Sequence, residues 1–153
     1  SLLIKKIKNL DKDNELELHF MGTAIPNLNK YGINHGRYKR GDFNKVIAEI
    51  NPSFIAILST CPETFSHTLT ESWKSGIPVI ATNLGALKER INKTNGGWLV
   101  DYKDPQAIYD KILSIDETDY LKKVESISKI RFKSLKEMTD EYNQIYGEIA
   151  DEL

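Results

Sequence analysis

Two short apolar runs, "SFIAILST" at 53–60 and "IPVIAT" at 77–82, constrain the fold of this chain more than any other feature. A strand of almost continuous Ile, Ala, Leu and Val has no polar face to offer water, so it belongs in a parallel sheet covered on both sides. The residues between the two runs carry Leu69 and Trp73 at helical spacing and close at Gly76, a residue suited to the position after a helix. Strand, helix and strand in that order make a right-handed crossover unit. "GGWLVD" at 96–101, after the short helical stretch "GALKERI", extends the alternation. The expected fold class is α/β, with helices on both faces of a parallel sheet.

The flanking segments fit that plan. Leu2, Leu3, Ile7 and Leu10 leave the lysines of "SLLIKKIKNL" on the opposite side, which predicts an amphipathic helix over 2–10. "ELELHFMG" alternates and ends in Gly22, a strand running into a tight turn. Residues 23–34 read as loop, with a short strand near "YGINHG". Asp42 is placed to cap a helix carrying Phe43, Val46, Ile47 and Ile50, which Asn51-Pro52 stops. Asp104-Pro105 pairs a capping residue with Pro at the first helical position, opening a helix over Ile108, Ile112 and Leu113. The tail is helical, first over Leu121, Val124 and Ile127, then over Leu135, Met138, Tyr142, Ile145 and Ile149.

With 153 residues the chain is the size of a single domain and needs no disulfide or metal staple. Apolar residues at 40% and charged residues at 28% are the balance of a soluble globular protein. A net charge of -1 provides no field to draw in nucleic acid or acidic lipid. A lone cysteine, Cys61, excludes an intrachain disulfide and suits a reducing compartment. It ends an apolar strand, where packing is its expected role. No apolar run reaches the roughly 18 residues of a membrane span. The lysines interleaved in the first ten residues do not make a signal segment. The chain begins with Ser rather than Met, which points to a fragment of a longer protein.

In a parallel α/β sheet, ligands bind beyond the carboxyl ends of the strands. "STCPETFSH" at 59–67 is such a strand-to-helix loop. A helix starting near Ser66 leaves its first N–H groups unpaired, and with the helix dipole these suit a phosphate. Ser66 and Thr68 can add hydroxyl donors. Glu71, inside the helix, is a poor neighbour for phosphate but a good acceptor for a vicinal diol. Glu63, ahead of the helix, can receive a second hydroxylated ring. Phosphate, ribose and sugar together describe a nucleotide sugar. Two glutamates eight positions apart are nevertheless common, and solvated surface charges beside a capping Ser66 are the commoner explanation of such a pair.

The surrounding order of elements narrows this choice. "PETFSHTLTESWKSGIPVIATNLGALKE" resembles the donor-binding signature of the retaining family-4 (group 1) glycosyltransferases, which have the GT-B fold. The matching elements are "FIAILST", Glu63, Phe65, Ser66, Glu71, "GIPVIAT" and "LGALKE". "HGRYKRGDFNKVIAEINPSF" is similar to the preceding segment in polysaccharide-building members, and "GGWLVDYKDPQAI" to the stretch that follows. The likeness covers about residues 15 to 115. It implies a Rossmann-like sheet, the C-terminal half of a GT-B fold, with residues 1–153 as one nucleotide-sugar-binding domain. It further implies that Glu71 holds the nucleotide ribose and that Glu63, the catalytic candidate, faces the transferred sugar. Phe65, Ser66, His67 and Thr68 match the loop whose amides hold sugar and diphosphate, and Tyr38 falls where the family's main chain meets the base.

The chain departs from the pattern at Ser66, where many members have Gly. The family's Arg and Lys after the domain's first strand have no counterpart here. The expectation is therefore a fragment without that strand and without the N-terminal acceptor domain. The parent would move a hexose onto a glycan or lipid-linked acceptor in the cytoplasm, with room for peripheral association at the inner face of a membrane. No cofactor or metal is expected, and the isolated chain should bind weakly and turn over nothing. A nucleotide-sugar epimerase of the same architecture and a non-catalytic α/β interaction module remain alternatives.

Other residues carry less. His67 is an ordinary loop residue or a proton shuttle beside the sugar. His19 and His35 lack metal-ligand spacing with Cys61. Lys30, Arg37, Lys39, Arg40 and Lys45 form a basic cluster, too local for nucleic acid; a solvated face is the first reading and a basic rim for an anionic donor the second. Trp73 and Trp98 fit buried positions.

Overall fold

A computed structural model of the chain describes residues 2–23, 28–132, 136, 137, 139, 140 and 143. Among these, three parallel strands, β3 (Ile55–Ile57), β4 (Val79–Thr82) and β5 (Gly97–Val100), lie in the order β3-β4-β5. The register sets Ile55 beside Val79 and Ile80 beside Trp98. A separate parallel pair joins β1 (His19–Phe20) to β2 (Ile33–Asn34). The helices are α1 (Leu2–Leu10), α2 (Phe43–Ile50), α3 (His67–Lys74), α4 (Gly85–Thr94), α5 (Pro105–Leu113) and α6 (Glu117–Ser128).

Side chains alternate across a strand, and here that alternation divides the core in two. Val79 and Ala81 join Leu69, Trp73, Leu87, Ile91 and Ile127 beneath α3, α4 and α6. Ile80, Trp98 and Val100 join Ile7 and Ile108 beneath α1 and α5. β4 is covered on both faces, with all four residues buried. This is the doubly covered sheet that the apolar runs predict, and it is Rossmann-like, as the family resemblance implies. Burying each such Leu, Ile or Val contributes roughly 1.5–3 kcal/mol.

β3 departs from the expectation. It is an edge of its sheet among the described residues, only Ile57 is buried, and Ala56 is exposed. With a neighbour on one side alone, its outer flank lacks the cover that a central strand receives. Cys61 beyond it is likewise exposed, not packed. "ELELHFMG" gives only a two-residue strand, whereas the short strand near "YGINHG" forms as β2 and pairs with it. Asp42 precedes α2 but makes no side-chain capping bond; a 3-10 turn at Arg40–Asp42 leads into the helix instead.

Helix ends elsewhere obey their local chemistry. Asp104 Oδ1 accepts from Ala107 N at 2.9 Å, with Pro105 in the first turn of α5. α3 ends in a Schellman motif, in which Gly76 N–H donates to Trp73 O and Ile77 N–H to Ser72 O. Gly76 takes φ +75, so it stands just past the cap, which is Ser75. α6 forms as expected and buries Ile127, although Leu121 on the same stripe is exposed. Leu135, Met138, Tyr142, Ile145 and Ile149, the second expected stripe of the tail, lie outside the described residues.

Candidate functional site

The β3–α3 loop and the first turn of α3 bring six of the seven expected site residues together. Glu63 stands in the loop, half-buried, and Glu71 is the fifth residue of α3, also half-buried. Between them Phe65, His67 and Thr68 are exposed, while Ser66 is 7% exposed. The Phe65 and His67 rings meet edge to face, with centroids 5.1 Å apart. Tyr38, the seventh, sits in the connection after β2, half-buried, with its ring 5.5 Å from that of Phe43. Both loops follow the carboxyl ends of parallel strands, where ligands of such sheets bind.

Ser66 is the N-cap of α3, but its hydroxyl caps nothing. Its backbone has φ 60 and ψ 91, a region that residues with side chains rarely enter. Its Oγ is buried without a hydrogen-bond partner, as is Oγ1 of Thr82 at the carboxyl end of β4. The first N–H groups of α3 have no intrahelical acceptors, by the nature of a helix start. Together with the helix dipole they make this end electropositive. α3 therefore offers an anion-binding end, with one carboxylate ahead of it and another a turn inside.

Two residues outside the expected set shape this loop. Gly85, at the start of α4, lies so close to the loop that a Cβ there would sit 2.7 Å from Glu63 O and 3.2 Å from Pro62 Cβ. Ala86 N–H donates to the same Glu63 oxygen at 3.0 Å. The sequence hints at this, since "LGALKE" places a Gly at the strand-to-helix turn after β4. Arg90, further along α4, donates from Nη1 to Phe65 O at 2.6 Å and Ser66 O at 3.0 Å. Its Nη2 donates to Thr70 Oγ1 at 2.8 Å. Burial lowers the Arg90 pKa below the usual guanidinium value, and the side chain remains a cation. Nothing in "GALKERI" marks Arg90 out, because its partners, two backbone carbonyls and one hydroxyl, lie on another segment of the chain.

The remaining candidates sit elsewhere. His19 Nδ1 lies 2.8 Å from His35 Nε2, and its Nε2 lies 2.9 Å from Glu17 Oε1. Among the described residues no three His, Cys, Asp or Glu side chains gather as metal ligands. Arg37 donates to Thr23 Oγ1, and Lys30, Lys39 and Lys45 are exposed. Trp73 and Trp98 are buried in the two halves of the core. No described helix is long and apolar enough to cross a membrane.

Known proteins share part of this sequence and its fold. The family model described as "Glycosyl transferases group 1" matches residues 1–117. Sucrose-phosphate synthase 4 of Arabidopsis thaliana is 35% identical over 72 residues, covering 47% of this chain and 6% of that protein. The Anabaena protein Alr3699/HepE, solved in complex with UDP and glucose, superposes with a TM-score of 0.69 at 19% identity. That match covers 100% of this chain and 45% of the Anabaena chain. A glycosyltransferase from Rickettsia africae ESF-5 gives a TM-score of 0.67 at 21% identity, covering 97% of this chain and 44% of its own. HepE has also been solved with UDP-glucose, and that structure gives a TM-score of 0.62 at 20% identity over 82% of this chain and 37% of the other. At these identities the structures establish the shared fold. The chain spans under half the length of the solved chains and a small part of the plant enzyme.

Proposed function

Because this chain belongs to the group 1 glycosyl transferases, we propose that it is the nucleotide-sugar-binding part of a retaining, metal-independent hexosyltransferase. The full enzyme would pass a hexose to a glycan or lipid-linked acceptor held by a further domain. It would work in the cytoplasm, with room for peripheral association at the membrane's inner face. The observation that carries this reading is the β3–α3 loop. An electropositive helix start lies between Glu63 and Glu71, at the strand ends where α/β sheets bind ligands. The complexes of HepE with UDP and with UDP-glucose support the choice of ligand class.

In this reading the diphosphate sits at the start of α3. Charge develops on it as the sugar leaves, and the amides there are already oriented to receive it. Glu71 accepts hydrogen bonds from the ribose diol, and Glu63 accepts from hydroxyls of the sugar. Tyr38 lies beside the base. His67 stands next to the sugar and moves no proton in this scheme. The chemistry is front-face displacement, which needs no enzyme nucleophile. By itself the chain binds donor weakly and transfers nothing.

Ligand-observed NMR of the chain with UDP, GDP, ADP and dTDP tests the proposal. Binding of at least one diphosphate, weakened in Glu71→Ala, is the expected result. Silence from all four would favour a non-catalytic interaction module. Conversion of a nucleotide sugar to its epimer by the chain would favour the epimerase.

A further inference from the structure

We propose that Arg90 is the positioning residue for the diphosphate end of this site, a role that rests on the nucleotide-sugar reading above. Three of its five N–H donors are engaged by the protein, two on main-chain carbonyls and one on a hydroxyl, so it acts on the site through the loop it holds. Its flat face also lies on aromatic rings, with Cζ 4.5 Å from the Phe65 ring centroid and 5.2 Å from that of Trp73. An arginine fixed at so many points is a rigid part of the scaffold, and a flexible ammonium could not span the same acceptors.

What Arg90 fixes is the direction of two peptide groups. A trans peptide is planar, so its C=O and N–H point opposite ways. Drawing Phe65 O toward the guanidinium turns the N–H of Ser66 away from it. Drawing Ser66 O the same way turns the N–H of His67 away as well. These two amides stand at the cap and first residue of α3, where the helix start receives an anion. Thr70 Oγ1, one turn along, anchors the same guanidinium to the body of the helix.

Ser66 explains why such a clamp is needed. Its φ of 60 suits glycine, and a serine holds it only where the surroundings over-determine it. Its own hydroxyl gives no help, being buried without a partner. The hydrogen bonds from Arg90 to the carbonyls on either side of the Ser66 α-carbon supply the constraint. A glycine at 66 would adopt the same turn unaided, so Arg90 does for this serine what glycine's freedom would otherwise do.

The test uses wild type, R90M, R90K, S66G and S66G/R90M. Dissociation constants are measured by NMR for whichever of UDP, GDP, ADP and dTDP binds wild type best, and for its nucleoside. R90M is expected to weaken diphosphate binding by about tenfold and leave nucleoside binding within about twofold. R90K is expected to fall with R90M, since one ammonium cannot hold both carbonyls and the Thr70 hydroxyl. S66G/R90M is expected to regain most of the loss. The Arg90 role is overturned if R90M binds the diphosphate like wild type, or if nucleoside and diphosphate weaken equally. It is also overturned if R90K binds like wild type, which would make charge alone sufficient. If wild type binds none of the four diphosphates, the nucleotide-sugar reading fails and takes the Arg90 role with it. Binding by wild type followed by any of the other adverse results removes the Arg90 role alone.

Discussion

Gly85 and Glu63 meet backbone to backbone: a Cβ on Gly85 would fall 2.7 Å from the Glu63 carbonyl oxygen, the same atom that accepts from Ala86 N–H at 3.0 Å. The start of α4 is thereby latched onto the loop that carries Glu63. Gly85 also has φ +46, a conformation in which a side chain is strained whatever the space.

Gly85→Ala is accordingly expected to cost about 2–4 kcal/mol, combining backbone strain with a clash against main chain. Gly76→Ala is the comparison. Gly76 has φ +75 but nothing within 4 Å of a built Cβ, so only the backbone penalty of about 1 kcal/mol applies. Urea unfolding of both variants measures the difference. Equal losses would mean that the contact with Glu63 is not what demands glycine.

The two glutamates are expected to separate by ligand. Glu71→Ala should weaken nucleoside diphosphate binding by about 10- to 100-fold, the scale of a lost hydrogen bond to a charged acceptor. Glu63→Ala should leave the diphosphate within about twofold and remove the additional affinity contributed by the sugar. Calorimetric titration with a diphosphate and its sugar conjugate reads both effects. The reverse pattern would exchange the two assignments.

Ser66→Gly is expected to stabilise the chain by about 1 kcal/mol. The substitution relieves a φ of 60 and removes a buried hydroxyl that has no partner. Greater freedom of glycine in the unfolded chain offsets part of that gain. Ser66→Ala removes the hydroxyl and keeps the strain, so its midpoint in urea should lie below that of the glycine variant. A glycine variant less stable than wild type would show that the loop holds Ser66 without strain.

Asp11 gives the fold an acid-sensitive fastening. Its carboxylate accepts from Lys8 Nζ, from Glu15 N at 2.8 Å and from Leu16 N at 3.2 Å, tying the end of α1 to the following turn. Burial by itself would raise its pKa, but the Lys8 ammonium and the two backbone donors outweigh it and hold the value below the usual carboxylate range. A carboxyl depressed in the folded state contributes stability that is complete above its unfolded pKa of 3.8 and fades as pH falls through the folded value. Asp11→Ala should cost about 1–3 kcal/mol at pH 7 and nearly nothing at the acid end, where wild type has already lost the contribution. Thermal melts between pH 2 and pH 7 would reveal this convergence; parallel curves would contradict it.

The parallel sheet was legible because its driving force is local and repetitive. Val79, Ile80 and Ala81 read as doubly buried and are so. The Asp104-Pro105 start of α5 was equally plain, since a cap needs only residues three apart. β3 misled, because "FIAILST" is as apolar as a central strand, and composition does not say which strand lies at an edge. Cys61 was misplaced with it. Asp42 has the right chemistry for a cap, but a preceding 3-10 turn replaces the capping bond. Within the site, Glu63, Phe65, Ser66, His67, Thr68 and Glu71 were found together because they are close in sequence, and a loop followed by a helix keeps them so.

By itself the sequence determined the alternation of strand and helix, a sheet covered on both faces and the loop at which a ligand would be sought. All of these follow from hydrophobic period and turn chemistry, which act over a few residues. Only the tertiary structure decided how that loop is held. The Arg90 guanidinium reaches the carbonyls of Phe65 and Ser66, and Gly85 lets α4 rest on Glu63. Such contacts join residues more than twenty positions apart through main-chain atoms, which every residue possesses, so side-chain pattern carries almost no record of them.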